Sequence, residues 1–294
     1  MSRVVRIAFF VGIIVFVSSP IIHAASPNIT GTWAGSATGT EYRDQTDSTG
    51  GTTPVKDKAS GNATASITQT GTDLSFSLTV VSTNHSGSSQ TFVVPFTGKV
   101  GDFAFWATGV RPALGESDPA AQCFISGHFD AKPSKITGNF ILYSSSQVVN
   151  VGYSLKKTSS TPTARDTALA LAFPTGSPRD DTTPFNIAGS STGKAFDFST
   201  SAKALSVKST ITGTIDPVAK TATITVVNGA NSQTFNVSEV NGGKAFVNSG
   251  SGGSETLIFF GVGSGSGNGT GAAGIGWRYS DTGMTEFKYS VKRQ

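Results

Sequence analysis

The chain has 294 residues, with 22 basic and 18 acidic side chains and a charged fraction of only 14%, about half the usual share in soluble domains. A net charge of +4 with scattered Lys and Arg excludes a nucleic-acid footprint. Three histidines and one cysteine exclude a His-rich metal site and any intramolecular disulfide, and no cofactor is implied.

At the N-terminus, Arg3 and Arg6 precede an apolar run from Ile7 to Val17, then a helix-breaking Ser18-Ser19-Pro20 and a small-residue exit at Ala24-Ala25. This is the layout of a secretory signal peptide over residues 1–24. The run falls short of the roughly 20 apolar residues of a membrane span. Removing Arg3 and Arg6 leaves 20 basic side chains against 18 acidic ones. The remaining chain is expected to be secreted or periplasmic, with no membrane span and a surface solvated by Gly, Ser and Thr.

Residues 27–158 read as a first β domain, with strands starting near Asn28, Thr64, Asp73, Ser89, Asp102, Ala121, Ile136 and Val148. The alternation Leu74-Ser-Phe76-Ser-Leu78-Thr-Val80 is that of a strand with one buried face. Turn signals such as Thr70-Gly-Thr-Asp73 separate the runs. The segment 41–61 reads as an insertion in which Asp44 and Asp47 are candidates for holding Ca²⁺. Its alternative is a solvated loop, since the spacing is not that of an EF-hand. Cys123, between Gln122 and Phe124, reads as a buried small hydrophobe.

Residues 159–184 are rich in Ser, Thr, Pro and charge and read as a linker. Its apolar patch RDTALALAF, 165–173, fits either one or two helical turns or a strand, and is expected to dock on a β domain. Residues 185–294 form a second β domain, with strands starting near Phe185, Ala202, Lys220, Ser232, Lys244, Glu255, Gly271 and Met284.

The two domains read as a duplication, because matches between them are collinear. Asn28-Ile-Thr-Gly31 aligns with Asn186-Ile-Ala-Gly189, which sets Ser191 against Trp33. Thr79-Val80-Val81 aligns with Thr225-Val226-Val227, and SQTF at 89–92 with SQTF at 232–235. Residues 138–157 align without a gap to 274–293. Eight sequential antiparallel strands bury their apolar faces by closing into an up-and-down barrel, so two tandem eight-stranded barrels are expected. β-sandwiches are the alternative.

Ile29-Thr-Gly31-Thr-Trp33 resembles the first strand of calycin-type barrels, the lipocalins and avidins. The resemblance implies an eight-stranded barrel whose closed end is plugged by Trp33 beneath a basic residue of the last strand, here Lys156 or Lys157. It also implies an interior site for a small apolar molecule. The biotin-contacting aromatics of avidins are not recognisable, so that ligand is not carried over.

The chemistry-bearing candidates are few. His128 and Asp130 share a strand face and form the one plausible His–carboxylate pair, with a structural hydrogen bond as the plain alternative. The patterns Gly189-Ser-Ser191-Thr-Gly193 and 188–194 match a nucleophile elbow and a phosphate loop on paper. Both require a following helix, where Ala195-Phe-Asp-Phe198 alternates as a strand. Sequons at Asn28, Asn62, Asn84, Asn236 and Asn268 bear on function only in a glycosylating host. Trp33, Trp106, Tyr143, Trp277 and Tyr279 are the ligand-binding candidates, large enough to line a pocket; packing in a core is the alternative.

The expected function is a non-enzymatic binding or interaction protein, taking a small apolar ligand or another cell-surface component. A structural cell-surface or matrix role, and an enzyme with an unrecognised site, remain the alternatives. A sixteen-stranded pore is opposed by the charged last residues FKYSVKRQ and by the mid-chain linker.

Overall fold

The computed structural model describes residues 27–294 apart from 47–48, 84–88, 115–118, 131, 146, 162–166, 173–176, 179–183, 201–202, 217–218, 220, 242–244, 251–254 and 263–270. The expected signal segment 1–24, Asp47, His85 and the sequon positions Asn84 and Asn268 lie outside the described residues. Every regular element among the described residues is a β-strand.

The first unit contains β1 (Gly31–Thr46), β2 (Thr52–Thr70), β3 (Asp73–Thr83), β4 (Ser89–Val100), β5 (Ala104–Arg111), β6 (Ala121–Phe129), β7 (Lys135–Tyr143) and β8 (Gln147–Ser159). The joining segment contributes β9 (Thr167–Ala172) and the two-residue β10 (Ser177–Pro178). The second unit contains β11 (Phe185–Asp197), β12 (Leu205–Asp216), β13 (Thr221–Asn228), β14 (Asn231–Asn241), β15 (Ala245–Gly250), β16 (Glu255–Val262), β17 (Gly271–Ser280) and β18 (Gly283–Arg293).

β11 to β18 close into an antiparallel barrel, β18 pairing back onto β11. β1 to β10 form one ten-stranded sheet, in which β1 pairs with both β8 and β2, so that the sheet turns back on itself. The full eight-stranded closure expected for both copies is therefore present in the second. The first departs from it at one seam. There β2 and β3 pair only at Thr68↔Ser75, Gln69↔Leu74 and Thr70↔Asp73, and the apolar patch of the joining segment enters as strand β9.

Alternation builds these strands as the sequence implies. In β3, Leu74, Leu78 and Val80 are buried while Ser75 and Ser77 are exposed. The hairpin turns at Gly71 (φ 61°) and Gly229 (φ 58°) occupy the left-handed region that glycine enters without a Cβ clash. Inside the first unit, Trp33, Leu74, Phe96, Ile136 and Phe140 form the core, with Phe92 packed against it. Inside the second, Phe185, Ile211, Ile224, Phe235 and Tyr289 do the same.

Segment 41–61 is a hairpin rather than an open loop. Glu41 pairs with Asp57 and Thr46 with Thr52, so β2 starts well before Thr64. Ala59, Ala63, Ala65 and Ile67 are buried on one face of it, a period-two pattern written in alanines and easily taken for linker composition.

The strand register also corrects the alignment of the copies. Gly35 pairs with Leu155 and Gly39 with Val151, while Gly189 pairs with Val291 and Gly193 with Phe287. Leu155 corresponds to Val291 and Val151 to Phe287, so the counterpart of Trp33 is Ile187 and not Ser191. Glycine marks these positions because a Cβ at Gly35 would lie 1.9 Å from the Ser154 carbonyl oxygen, and one at Gly189 2.2 Å from that of Ser290. Similarly, Phe92 pairs with Val80 and Phe235 with Ile224, which matches 79–81 with 223–225. Both shifts are even, so every side chain keeps its face.

Candidate functional site

Four of the five candidate aromatics meet between the two units. Tyr42, Ala104, Phe124, Ile141 and Val148 of the first unit form one buried cluster with Phe196, Phe198, Ile275, Trp277, Tyr279 and Met284 of the second, and Trp106 and Tyr143 pack against it. The Trp106 ring lies 4.6 Å from that of Tyr279, and Phe124 lies 5.0 Å from Trp277 and 4.8 Å from Tyr279. The Trp106 indole N–H donates to the Ser280 carbonyl oxygen at 3.0 Å. Parity explains the arrangement. Phe105, Cys123, Phe140 and Val151 point into the first unit, which turns their neighbours outward.

Trp33 stands apart, buried inside the first unit, where its Nε1–H donates to the Ile29 carbonyl oxygen at 3.0 Å. Lys157 Nζ sits 5.3 Å from the centroid of its ring, so that of the two lysines the calycin resemblance offered as cover, Lys157 is the one over the indole. On the same strand faces but farther along β1 and β2 lie Glu41, Arg43 and Asp57. Arg43 bridges Asp57 at 3.0 Å and Glu41 at 3.4 Å, and Gln147 Nε2 donates to Glu41 Oε1 at 2.8 Å. Burial pushes the Glu41 carboxyl up to about 7, against the pull of Arg43 and with the repulsion of Asp57. A cavity inside the first unit is lined by apolar side chains such as Ile67, Phe76, Ile125 and Phe140, and holds about 40 Å³. That is room for a few water molecules, below the usual size of a ligand pocket. None of the five aromatic candidates lines it.

The larger cavity lies beside the aromatic cluster, where His128 of β6 meets Thr192, Lys194, Ser206, Glu286 and Lys288 of the second unit around about 390 Å³. His128 Nε2 is 2.8 Å from Thr137 Oγ1. Its Nδ1 is buried and has no hydrogen-bond partner among the described residues. Its ring is stacked 6.3 Å from Phe196. Burial holds the imidazole below its ordinary value. The Glu286 carboxylate opposes that shift, and Lys194 and Lys288 reinforce it. Glu286 is buried and accepts from Trp277 Nε1–H at 3.4 Å. Lys194 and Lys288 are exposed. In register, Lys194 lies opposite Glu286 and Thr192 opposite Lys288.

The carboxylate that acts most strongly on His128 is thus Glu286 rather than Asp130, which is exposed and acts more weakly. Sequence reasoning missed Glu286, Lys194 and Lys288. Their alternating placement on β11 and β18 is the ordinary signature of a solvated strand face. Asp44 falls within β1, and among the described residues no three His, Cys, Asp or Glu side chains group as metal ligands. Cys123 is buried, and burial pushes its thiol up to about 12, which makes it unreactive as a nucleophile.

No family model and no curated protein matches the chain. Two solved structures are similar to it at 9% identity and a TM-score of 0.28 each, over 90% of this chain. One is the isotype 1 transferrin binding protein B from serogroup B Neisseria meningitidis, covered over 77% of its chain. The other is a protein of unknown function from the DUF3598 family of Nostoc punctiforme, covered over 96%.

Proposed function

We propose that this chain is an extracytoplasmic, non-enzymatic binding protein that takes a small polar molecule with an anionic group in the cleft between its two β units. The observation that carries this reading is the convergence of His128, Lys194, Glu286 and Lys288 on one cavity of about 390 Å³, within the size range of small-molecule sites. Two ammonium groups and one carboxylate leave the cleft net positive beside a neutral imidazole. The unsatisfied Nδ1 of His128 is a buried polar atom that a ligand donor or acceptor would satisfy.

In this reading the first unit is a second, calycin-like barrel completed by an inserted strand, and residues 1–24 are its export signal. The aromatic cluster holds the two walls of the cleft at a fixed spacing. An apolar ligand inside the first unit is the other reading, supported by the wholly apolar lining of its cavity, and it requires side chains to move apart. A cell-surface spacer would leave both cavities without a ligand.

The test is a thermal-shift and calorimetric screen of small carboxylates, phosphates, sulfates and uncharged apolar molecules, followed by Lys194→Gln and Lys288→Gln. A ligand that binds the native state raises the melting temperature, and loss of that shift in both variants supports the cleft. A shift produced only by apolar ligands and unchanged in the variants moves the site to the barrel interior; no shift with any compound overturns the binding reading.

A further inference from the structure

We propose that the gap between β2 and β3 is a strand-acceptor site, filled in cis by β9 and able to take β9 from a second copy of the chain instead. After the three pairs near Gly71 the two strands part, and β9 runs between them. It is antiparallel to β2 at Ser60↔Ala172, Ala63↔Leu169 and Thr64↔Ala168, and parallel to β3 from Leu78↔Thr167 to Thr83↔Ala172. This is the sole parallel pairing among the described strands, all others being antiparallel. The second unit needs no such insert, because β12 and β13 pair directly from Asp216↔Thr221 to Thr210↔Val227.

The seam is thus a feature of the first unit alone, and its occupant comes from the joining segment rather than from the eight-strand series. β9 pairs with β2 over Ser60 to Thr64, and the N-terminal extension of β2, which at 19 residues outruns its 12-residue counterpart β12, pairs with β10 at Lys56↔Ser177 and Val55↔Pro178. Parted strands present unpaired N–H and C=O groups on both sides, the condition under which an extended segment adds by main-chain pairing.

A second copy supplies the one segment already matched to this slot, residue for residue, so exchange makes the same pairs in trans as in cis. The tethers allow it. Residues 160–166 precede β9, a span of at most roughly 25 Å of extended chain; β10 follows after residues 173–176 and pairs with β2, so exchange carries β10 along with β9.

The test uses the full chain and its Ala168→Pro/Ala170→Pro variant, in which two N–H donors of β9 are removed. Light scattering of the wild type after incubation at high concentration should show a dimer that the variant does not form. A labelled peptide of residues 165–174 should bind the variant at one per chain, and the wild type at least tenfold more slowly. A wild type that stays monomeric, together with a folded variant that ignores the peptide, overturns the proposal; so does a dimer that persists in the variant. Hydrogen exchange decides the matter if the variant does not fold. Amides of 167–172 in the wild type should exchange at least tenfold faster than those of β4 and β6, and equal protection overturns the proposal.

Discussion

Trp106 and Ser280 are joined across the boundary between the units by a 3.0 Å hydrogen bond from the indole to a main-chain carbonyl, while the same ring rests on Tyr279 at 4.6 Å. A tryptophan that packs and donates at once couples two folding units. Trp106→Ala should cost about 2–4 kcal/mol, somewhat under the full-core value because the side chain is only half buried. Urea unfolding should then split into two transitions where the wild type shows one. Val93→Ala, at a residue 50% exposed, should move the midpoint by about 0.5 kcal/mol or less.

Trp33 and Lys157 test whether one end of the first unit is sealed as expected. Trp33→Ala empties a fully buried site and should cost about 3–5 kcal/mol. Lys157→Met keeps the aliphatic stem and removes the cation 5.3 Å from the ring, so about 0.5–1 kcal/mol is expected. A double-mutant cycle measured by chemical denaturation reads the coupling directly; additive effects would mean that the ammonium contributes nothing to the indole.

The glycines of the first unit give a contrast in close packing. A Cβ at Gly138 would lie 1.9 Å from the Ser126 carbonyl oxygen and 2.6 Å from Tyr153 Oη, the two atoms joined by the buried 2.7 Å hydrogen bond. Gly138→Ala should therefore cost about 1–3 kcal/mol, and Tyr153→Phe about 1–2 kcal/mol for the lost bond. At Gly152 the nearest atom stands at 3.7 Å, in ordinary contact, so Gly152→Ala should be neutral or stabilise slightly. Melting temperatures of the three variants rank them.

Strand-by-strand order was legible because alternation and turn residues are local signals. β3, with Leu74, Leu78 and Val80 inward, needed nothing beyond its own residues. What was not legible depended on partners far along the chain. Phe140-Ile-Leu-Tyr143 is apolar at successive positions, and such a run signals burial on both faces. It could have flagged that a second surface covers β7, but not that Trp277 and Tyr279 lie in that surface. The cleft residues were hidden for the opposite reason, since Lys194, Glu286 and Lys288 obey the polar-outward rule and only the docking of β6 brings His128 to them. The four-residue offset between Trp33 and Ser191 arose because Gly-x-x-x-Gly spacing recurs in both first strands, and only the pairing to β8 and β18 tells which glycine is which.

Glu41 and His128 make stability depend on pH with opposite signs. Glu41, facing Arg43, Asp57 and Gln147, is raised from 4.5 to about 7, burial being the main cause. Between those values the folded chain holds a proton that the unfolded chain has released, so stability falls as pH rises through the window. The full shift corresponds to about 3 kcal/mol. His128, facing Glu286, Lys194, Lys288 and Asp130, is lowered by burial; there the unfolded chain takes up the proton first, and stability falls as pH drops below the ordinary histidine range. In the wild type the two effects overlap just below the ordinary histidine range and partly offset each other there. Urea midpoints at pH 5, 6, 7 and 8 should separate them. In Glu41→Gln the decline toward pH 7 disappears and the midpoint rises with pH. In His128→Gln the decline steepens. Parallel pH curves for the wild type and both variants would mean that neither group titrates differently in the folded chain.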